Sequence, residues 1–352
     1  MNKRRLDLCR FISIGCSILI FSLMGGCATF GSKPPEVEKS KSEGSKVETP
    51  PARQVFPNFI AVVAREGDTF PSLASKYLKD PSMDWFIAEF NDMEALTPGQ
   101  PLIIPLHPYQ RGGLTSKGYQ TVPVLSYHHF SLDRMDKLTV TKSTFEEQMK
   151  FLKDNGYRVI TLDQLFDFLE FKGQIPEKSV VINIDDGWRS TYDIAFPILK
   201  KYGYPATLFV YTDLIVGSEK TLTWDLIQEM ANNGLDIQCH TKTHRNLNKM
   251  NQKESFKEYF EAVEKELSAC KTMIKKKLNS DVKYLAYPYG DTNSLVNELL
   301  KKQDYQGAFT IKRGSNPFFI HNYRVNRSMI YGDFDLNQFE KNLTVFTEEP
   351  LK

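Results

Sequence analysis

The sequence has little net charge and few cysteines, and each of these features excludes a class of function. The 45 Lys and Arg residues nearly balance 43 Asp and Glu residues, which leaves a formal net charge of +2 at pH 7. Because the lysines are interspersed with acids, the sequence offers no basic surface for nucleic acid, and we expect no nucleic-acid partner. The five cysteines match neither a disulfide scaffold nor a zinc knuckle in number or spacing.

Length and composition are otherwise those of an ordinary globular protein. Of the 352 residues, 41% are hydrophobic and 25% are charged. A chain of this length exceeds one typical domain. We therefore expect one sizeable core accompanied by a smaller unit.

One long apolar run stands at the N-terminus, where residues 11–24 follow a basic start and precede Gly-Gly-Cys. This three-part arrangement is typical of a secretory signal, and the run is shorter than the roughly 20 residues of a membrane-spanning helix. Its ending resembles a bacterial lipobox, which implies lipidation of Cys27. We therefore predict a lipoprotein signal over residues 1–27 and a location in the cell envelope, anchored to a membrane by lipid. If the host is Gram-negative, the outer membrane or the periplasmic side is expected.

Residues 28–56 are rich in Pro, Lys, Glu and Ser and contain few apolar side chains. Such a segment cannot bury enough surface to offset the entropy of ordering, so we predict a disordered linker. Residues 57–107 differ, because their pattern predicts a compact β-α-α-β unit. This unit resembles a LysM domain, a module that binds glycans containing N-acetylglucosamine, in Gly67-Asp68-Thr69, Asn91 and Pro98-Gly99-Gln100.

Residues 118–345 alternate between apolar runs and amphipathic stretches. The pattern predicts strands near residues 122–130, 158–160, 180–186, 206–210, 235–239, 284–287 and 307–311, with helices between most of them. Repeated strand-helix alternation indicates an α/β domain with a parallel sheet, either an open sheet or a barrel. Cys270 lies on the apolar stripe of the last long helix, and we expect it to contribute to packing.

Two of these strands end in side chains suited to catalysis. Asp185 and Asp186 follow an apolar run, although an Asp-Asp-Gly sequence is also typical of a turn that caps the next helix. His240 and His244 follow another strand and stand four residues apart. Two imidazoles and one carboxylate can bind a catalytic zinc ion and leave its fourth position open for water.

With these motifs in view, the domain resembles the NodB-like polysaccharide deacetylases. The resemblance rests on the acid motif, the metal motif and the groove-wall motif, which here read Ile184-Asp185-Asp186-Gly187, His240-Thr241-x-x-His244 and Tyr287-Pro288-Tyr289-Gly290. It implies an irregular (β/α) barrel in which Asp185 is the general base. Asp186, His240 and His244 would bind a divalent metal, with zinc expected and nickel, cobalt and iron left open.

The sequence also departs from the family pattern. Ala286 stands where many members carry an arginine that orients the base, and no Leu-x-His motif follows. Tyr127-His128 and Leu222-Thr223-Trp224-Asp225 are similar instead to the poly-β-1,6-N-acetylglucosamine deacetylase branch. That similarity implies His128 as a second catalytic residue, and alternation predicts that His129 points away. Sugar-binding surfaces are expected from Tyr287, Pro288, Tyr289 and Trp224, with Trp188 either a further stacking face or part of the core.

The expected function is metal-dependent N-deacetylation of a cell-envelope glycan that contains N-acetylglucosamine. The LysM-like unit favours peptidoglycan as the substrate, whereas His128 and the missing arginine favour an exopolysaccharide of the poly-N-acetylglucosamine kind. The alternative is a non-catalytic glycan-binding lipoprotein. The complete set of acids and histidines argues against that alternative, because a decayed site usually loses a ligand.

Overall fold

A computed structural model describes residues 53–107, 109 and 111–349. The predicted signal peptide, with Cys27, and nearly all of the predicted linker lie outside the described residues. Within the part of the chain that is described, every helix is too short or too polar to cross a lipid bilayer.

The β-strands of the described residues are numbered in chain order. They are β1 Arg53–Val55, β2 Phe59–Val63, β3 Pro101–Pro105, β4 Leu114–Thr115, β5 Gly118–Val122, β6 Val124–Tyr127, β7 His129–Ser131, β8 Thr139–Thr141, β9 Arg158–Val159, β10 Ser179–Asp186, β11 Thr207–Val210, β12 Asp236–Cys239, β13 Tyr284–Ala286, β14 Gly307–Phe309, β15 Asn316–Pro317, β16 Ser328–Met329 and β17 Phe346–Glu348. The last of these pairs with β5, so the main domain extends beyond the predicted boundary at residue 345.

The α-helices of the same ranges are numbered likewise. They are α1 Phe70–Leu78, α2 Asp84–Asn91, α3 Lys142–Asp154, α4 Leu162–Leu169, α5 Phe196–Tyr202, α6 Trp224–Asn232, α7 Phe256–Leu278, α8 Ser294–Lys302 and α9 Leu336–Glu340. One turn of π-helix, Thr191–Ala195, leads into α5. Ser, Thr, Asn or Asp side chains cap most of these helices at the N-terminus, as at Ser255 before α7.

The N-terminal module contains a three-stranded antiparallel sheet, β1-β2-β3, and the helices α1 and α2. Asn91 joins these layers: its amide nitrogen donates to the Ile103 carbonyl at 2.7 Å, and its amide oxygen accepts from the Ile103 N–H at 2.8 Å. The strand β1 lies inside the predicted linker and pairs with β2. The ordered chain therefore begins earlier than we predicted, because backbone pairing orders a segment that has little apolar content.

The main domain is an α/β fold built on a parallel sheet with the strand order β14-β13-β12-β11-β10-β6-β16. The sheet is a half-barrel, consistent with the predicted irregular (β/α) barrel. Residues 325–329 connect its two edges: Val325 bridges to Phe309 of β14, and Ser328 of β16 pairs with Leu125 of β6. Both faces are apolar, since one packs against the helices and the other fills the barrel interior.

One prediction about the cysteines was wrong. Cys270 of α7 forms a disulfide with Cys239 at the end of β12, with the two Cα atoms 6.1 Å apart. Both residues are fully buried. The sequence could not indicate this pair, because only the packing of α7 against the sheet brings residues 31 positions apart into contact.

The module packs against the main domain through polar and aromatic contacts. Asp84 accepts two hydrogen bonds from the Arg158 guanidinium, at 2.9 and 2.8 Å, and Glu89 accepts one from the Glu177 N–H at 3.0 Å. Tyr109 lies against the rings of two phenylalanines of α2. Because Arg158 begins β9 and Glu177 precedes β10, this contact lies at the N-terminal ends of the strands, opposite the edge where β10 and β12 end.

The contact at Glu89 should depend on pH. Burial raises the pKa of Glu89 to about 7, because the hydrogen bond from Glu177 and the nearby Arg158 only partly compensate for lost hydration. A carboxyl with a raised pKa favours the docked state when it is protonated, so docking should weaken as the pH rises from about 5 to 8. We expect the protection factor of the Glu177 amide, which is its exchange rate relative to the unfolded chain at the same pH, to fall over that range in the wild type and to vary much less in Glu89→Gln. Glu94→Gln, which alters an exposed residue of the same module, is the control; an equal pH response in all three proteins would contradict the prediction.

Candidate active site and metal centre

Two neighbouring carboxylates at the end of β10, Asp185 and Asp186, lie in different surroundings. Its last residue, Asp186, has φ 82°, and Gly187 follows with φ 117°. A Cβ on Gly187 would come within 2.6 Å of the Ile215 side chain. Only glycine therefore fits this backbone conformation. As a result Asp185 stays fully buried, whereas Asp186 faces the two histidines. Trp188 donates its indole N–H to Asp186 Oδ2 at 2.9 Å and orients that carboxylate.

Both predicted histidines meet Asp186 at the C-terminal edge of the sheet. Their Nε2 atoms lie 3.6 Å (His240) and 3.7 Å (His244) from Asp186 Oδ1. His240 is buried, with Nδ1 2.7 Å from the Ala286 carbonyl oxygen. Because a carbonyl can only accept, Nδ1 carries the proton and Nε2 presents its lone pair to the centre of the cluster.

This cluster fits a divalent metal ion. One ligand atom from each of Asp186, His240 and His244 lies within 4.8 Å of the others, and a tetrahedral zinc site places its ligand atoms about 3.3 Å apart. Burial lowers the pKa of His240, although the charges of Asp185 and Asp186 oppose that shift. The neutral imidazole that results is the form that binds metals.

Asp185 lies in an ion-pair network beside the metal cluster. Its Oδ1 accepts a hydrogen bond from Arg327 Nη1 at 2.7 Å, and its Oδ2 lies 3.8 Å from His128 Nε2. Burial alone raises the pKa of Asp185, but the charges of Arg327, His240 and His128 together outweigh burial and lower that pKa to about 2. Asp185 is therefore ionised at neutral pH and can accept a proton.

Arg327 is the site residue that the sequence interpretation missed. It is fully buried in the segment that connects the sheet edges, and its Nε donates to the Thr310 carbonyl at 3.0 Å. The sequence has Ala286 where many family members carry an arginine that orients the base, and the fold supplies a guanidinium from a later part of the chain. The one available signal was an arginine between the apolar residues Val325 and Ile330, because a charge that a strand buries needs a partner.

The groove-wall motif is only partly exposed. Tyr287 is fully buried, with its hydroxyl 3.0 Å from both Asn297 Oδ1 and the Tyr323 carbonyl oxygen. The expectation that Tyr287 offers a face to sugar was therefore wrong, because its ring lies in the core between the sheet and α8. Pro288 is buried as well. Tyr289 is 59% exposed, and its ring centroid lies 4.9 Å from that of His244, which leaves it as the exposed wall of the site.

Two further residues considered in the sequence, Trp224 and His129, have different surroundings. Trp224 begins α6 and is half-buried. It packs against the hydrophobic core between the sheet and the helices. His129, which we expected to point away, packs on Trp188 with ring centroids 4.4 Å apart. Two hollows of about 660 and 460 Å³ share His129, Phe130 and Arg134, and the smaller one includes Trp188. The smaller hollow reaches the site through Trp188, whose indole N–H is bonded to Asp186.

Comparison with known proteins agrees with this geometry. Residues 172–308 match the family described as Polysaccharide deacetylase. The poly-beta-1,6-N-acetyl-D-glucosamine N-deacetylase of Staphylococcus aureus strain MRSA252 is 32% identical over 213 residues, which cover 59% of this chain and 73% of that protein. The chain belongs to the polysaccharide deacetylase family. It is a hydrolase of that family, and homologues are named as N-deacetylases.

Solved structures of deacetylases share the fold. The Streptococcus pyogenes deacetylase PplD in complex with acetate is 25% identical with a TM-score of 0.57, and the match covers 63% of this chain and 98% of that one. The polysaccharide deacetylase BC0361 from Bacillus cereus is 27% identical with a TM-score of 0.53, covering 72% of this chain and 74% of that one.

Removing one partner of the buried ion pair between Arg327 and Asp185 should destabilise the domain. Arg327→Met leaves a buried carboxylate without its partner, so we expect a loss of about 3–5 kcal/mol in unfolding free energy at pH 7. The loss should shrink as the pH falls, because protonation of Asp185 removes the unpaired charge. Urea unfolding of the wild type and of Arg327→Met, at pH 7 and at lower pH, measures this loss in unfolding free energy.

Two further variants serve as controls for that experiment. Arg324→Met changes an exposed arginine of the same segment and should be nearly neutral. Adding Asp185→Asn to Arg327→Met should recover part of the loss, because no charge remains buried. A pH-independent loss in the single variant, with no recovery in the double variant, would show that the pair is not the source of the stability.

Proposed function

We propose that this protein is a metal-dependent N-deacetylase that hydrolyses acetamide groups of an N-acetylglucosamine-containing polysaccharide of the cell envelope. The observation that carries the proposal is that a cation-binding cluster and a proton acceptor lie side by side at one edge of the sheet. Asp186, His240 and His244 form a cation-binding cluster, and the ionised Asp185 adjoins it within reach of His128. Chemistry that needs both a Lewis acid and a proton acceptor fits this arrangement.

The proposed metal ligands are Asp186 Oδ1 and the Nε2 atoms of His240 and His244, and zinc is the proposed ion because two imidazoles and a carboxylate suit it. Such an ion, when bound, lowers the pKa of water and polarises a carbonyl oxygen. Trp188 and the Ala286 carbonyl orient two of these ligands through the hydrogen bonds described above.

The proton chemistry is assigned to Asp185 and His128. Asp185 accepts a proton from the attacking water, whose oxygen bonds to the acetamide carbonyl carbon. Arg327 holds the Asp185 carboxylate in place and keeps it ionised until then. His128 donates a proton to the nitrogen as the carbon–nitrogen bond breaks, so acetate and a free amine are the products. We propose that a backbone N–H near Tyr289 stabilises the oxyanion between these steps.

The named S. aureus relative supports an exopolysaccharide of the poly-N-acetylglucosamine kind as the substrate, and the histidine after β6 agrees with that. The N-terminal module supports peptidoglycan if it acts as a LysM domain. Acetate release from the two glycans, measured side by side, distinguishes these substrates. A non-catalytic glycan-binding protein is the less favoured alternative, because every proposed ligand and both proton-transfer residues are present.

We further propose that residues 57–107 bind glycan and that Cys27 carries lipid, which would place the enzyme at the cell envelope. The docking contacts of Asp84 and Glu89 put the module at the end of the barrel opposite Asp186. A glycan held there would lie at the end of the barrel opposite the proposed catalytic site. The module would therefore act by holding the enzyme on its polymer and raising the local substrate concentration.

Neighbouring residues with different proposed roles allow a sharp test of the mechanism. Asp186→Ala removes a metal ligand, so bound zinc and deacetylation should fall together. Asp185→Asn and His128→Ala should retain the metal and lose turnover by about 10²–10⁴-fold, the usual contribution of a general acid or base. The metal content of the purified variants, measured together with their deacetylation rates on an acetylated oligomer, distinguishes a metal ligand from a general acid or base. Loss of zinc in Asp185→Asn with retention in Asp186→Ala would mean that the two roles are exchanged.

The role of the module can be tested by deleting residues 1–107 and comparing the product with a fragment that begins before Arg53. We expect the deletion to lower acetate release from insoluble glycan far more than from short soluble oligomers, because tethering matters only on the polymer. Thermal unfolding of both fragments controls for lost docking contacts. Equal losses on both substrates, with folding intact, would place the module in the catalytic groove.

A further inference from the structure

The loop that carries both histidines of the metal centre has an unfavourable backbone. Thr241 and His244 have φ values of 71° and 64°, the left-handed region that residues with a Cβ rarely adopt. One hydrogen bond within the loop, from the His244 N–H to Thr241 Oγ1 at 3.1 Å, supports it. A conformation of this kind persists only when surrounding groups fix it.

Helix α7 supplies those groups through Glu266. Its Oε2 accepts hydrogen bonds from the N–H groups of Lys242 at 2.9 Å and Thr243 at 2.8 Å. Its Oε1 accepts a third, from the Thr243 hydroxyl at 2.7 Å. The two residues between the left-handed positions are thus bound to a single carboxylate.

One turn further along α7, Cys270 is bonded to Cys239, the residue immediately before His240. Two successive turns of one helix therefore hold the start and the middle of the loop. The helix itself is firmly placed, since Val263, Leu267 and Ile274 are fully buried against the sheet. Displacement of the loop relative to the sheet would require these contacts to break.

An ion pair does not account for the burial of Glu266, which is 7% exposed. Among the described residues its carboxylate forms no salt bridge within 4.0 Å. The nearby Arg245 has its guanidinium bonded to Glu254 instead. Burying a carboxylate is costly unless hydrogen bonds compensate, and the bonds that compensate here all come from the loop between the histidines.

We propose that Glu266 is a positioning residue of the metal centre, which sets the loop so that the His240 and His244 Nε2 atoms converge on Asp186. The proposal rests on the function proposed above, because it concerns the same cation site. Residues that orient metal ligands in this way typically contribute about 10–100-fold in metal affinity. Glu266 acts without touching the ion or the substrate.

The test compares Glu266→Ala with Glu266→Gln in the full folded protein, using zinc as the probe in competition with a chelator. Glu266→Ala loses all three hydrogen bonds, so zinc affinity should fall about 10–100-fold. Glu266→Gln keeps an amide oxygen for the two N–H groups and should stay within a few-fold of the wild type. Glu261→Ala, on an exposed position of α7, controls for general effects on the helix.

Amide hydrogen exchange at Lys242 and Thr243 in the metal-free protein provides a second readout. Faster exchange in Glu266→Ala, with protection retained in Glu266→Gln, is expected. Unchanged exchange and unchanged zinc affinity in Glu266→Ala would overturn the proposal. Should the wild type itself fail to bind zinc, the proposed metal-dependent function fails, while the exchange data still decide whether Glu266 holds the loop. If Glu266→Ala does not fold, Thr243→Val, which removes the hydroxyl bond to Glu266 Oε1, should bind zinc more weakly and exchange faster at Lys242 and Thr243 than the wild type, and no change in either measurement would overturn the proposal.

Discussion

The buried ion pair between Asp185 and Arg327 is the contact on which the rest of the domain depends. It connects the C-terminal end of β10 to the segment that joins the two edges of the half-barrel. Two charges in an apolar interior tolerate little misplacement, because each is costly without the other. The pair therefore fixes the closure of the sheet and the position of the proposed proton acceptor at once.

The metal cluster depends on a second principle, the convergence of parallel strands at their C-terminal edge. Asp186 follows β10, His240 follows β12, and the Ala286 carbonyl that orients His240 ends β13. Each side chain reaches the cluster through a short, unusual stretch of backbone, and Asp186, Thr241, His244 and Tyr289 all have positive φ values. Such conformations concentrate where surrounding structure can hold them. Here a disulfide, a buried carboxylate and a close-packed helix do so.

The docking of the N-terminal module places it away from the proposed active site. Its polar contacts lie at the start of the strands, whereas the cation cluster lies at their end. A glycan-binding role there and hydrolysis at the other end would operate on different parts of one polymer. The module joins the main domain through a bidentate ion pair, a half-buried carboxylate and an edge-to-face aromatic contact rather than through a flexible linker alone.

The sequence by itself determined the α/β alternation, the order of the motifs and the carboxylate and histidine positions of the site. Local patterns suffice for these, because strand periodicity and motif spacing act over a few residues. Tertiary structure alone decided which distant groups complete them. Arg327 reaches Asp185, Cys270 reaches Cys239, and Tyr287 turns into the core although its motif suggested a groove. Contacts of this kind depend on how the sheet closes and where α7 packs, which no short stretch of sequence encodes.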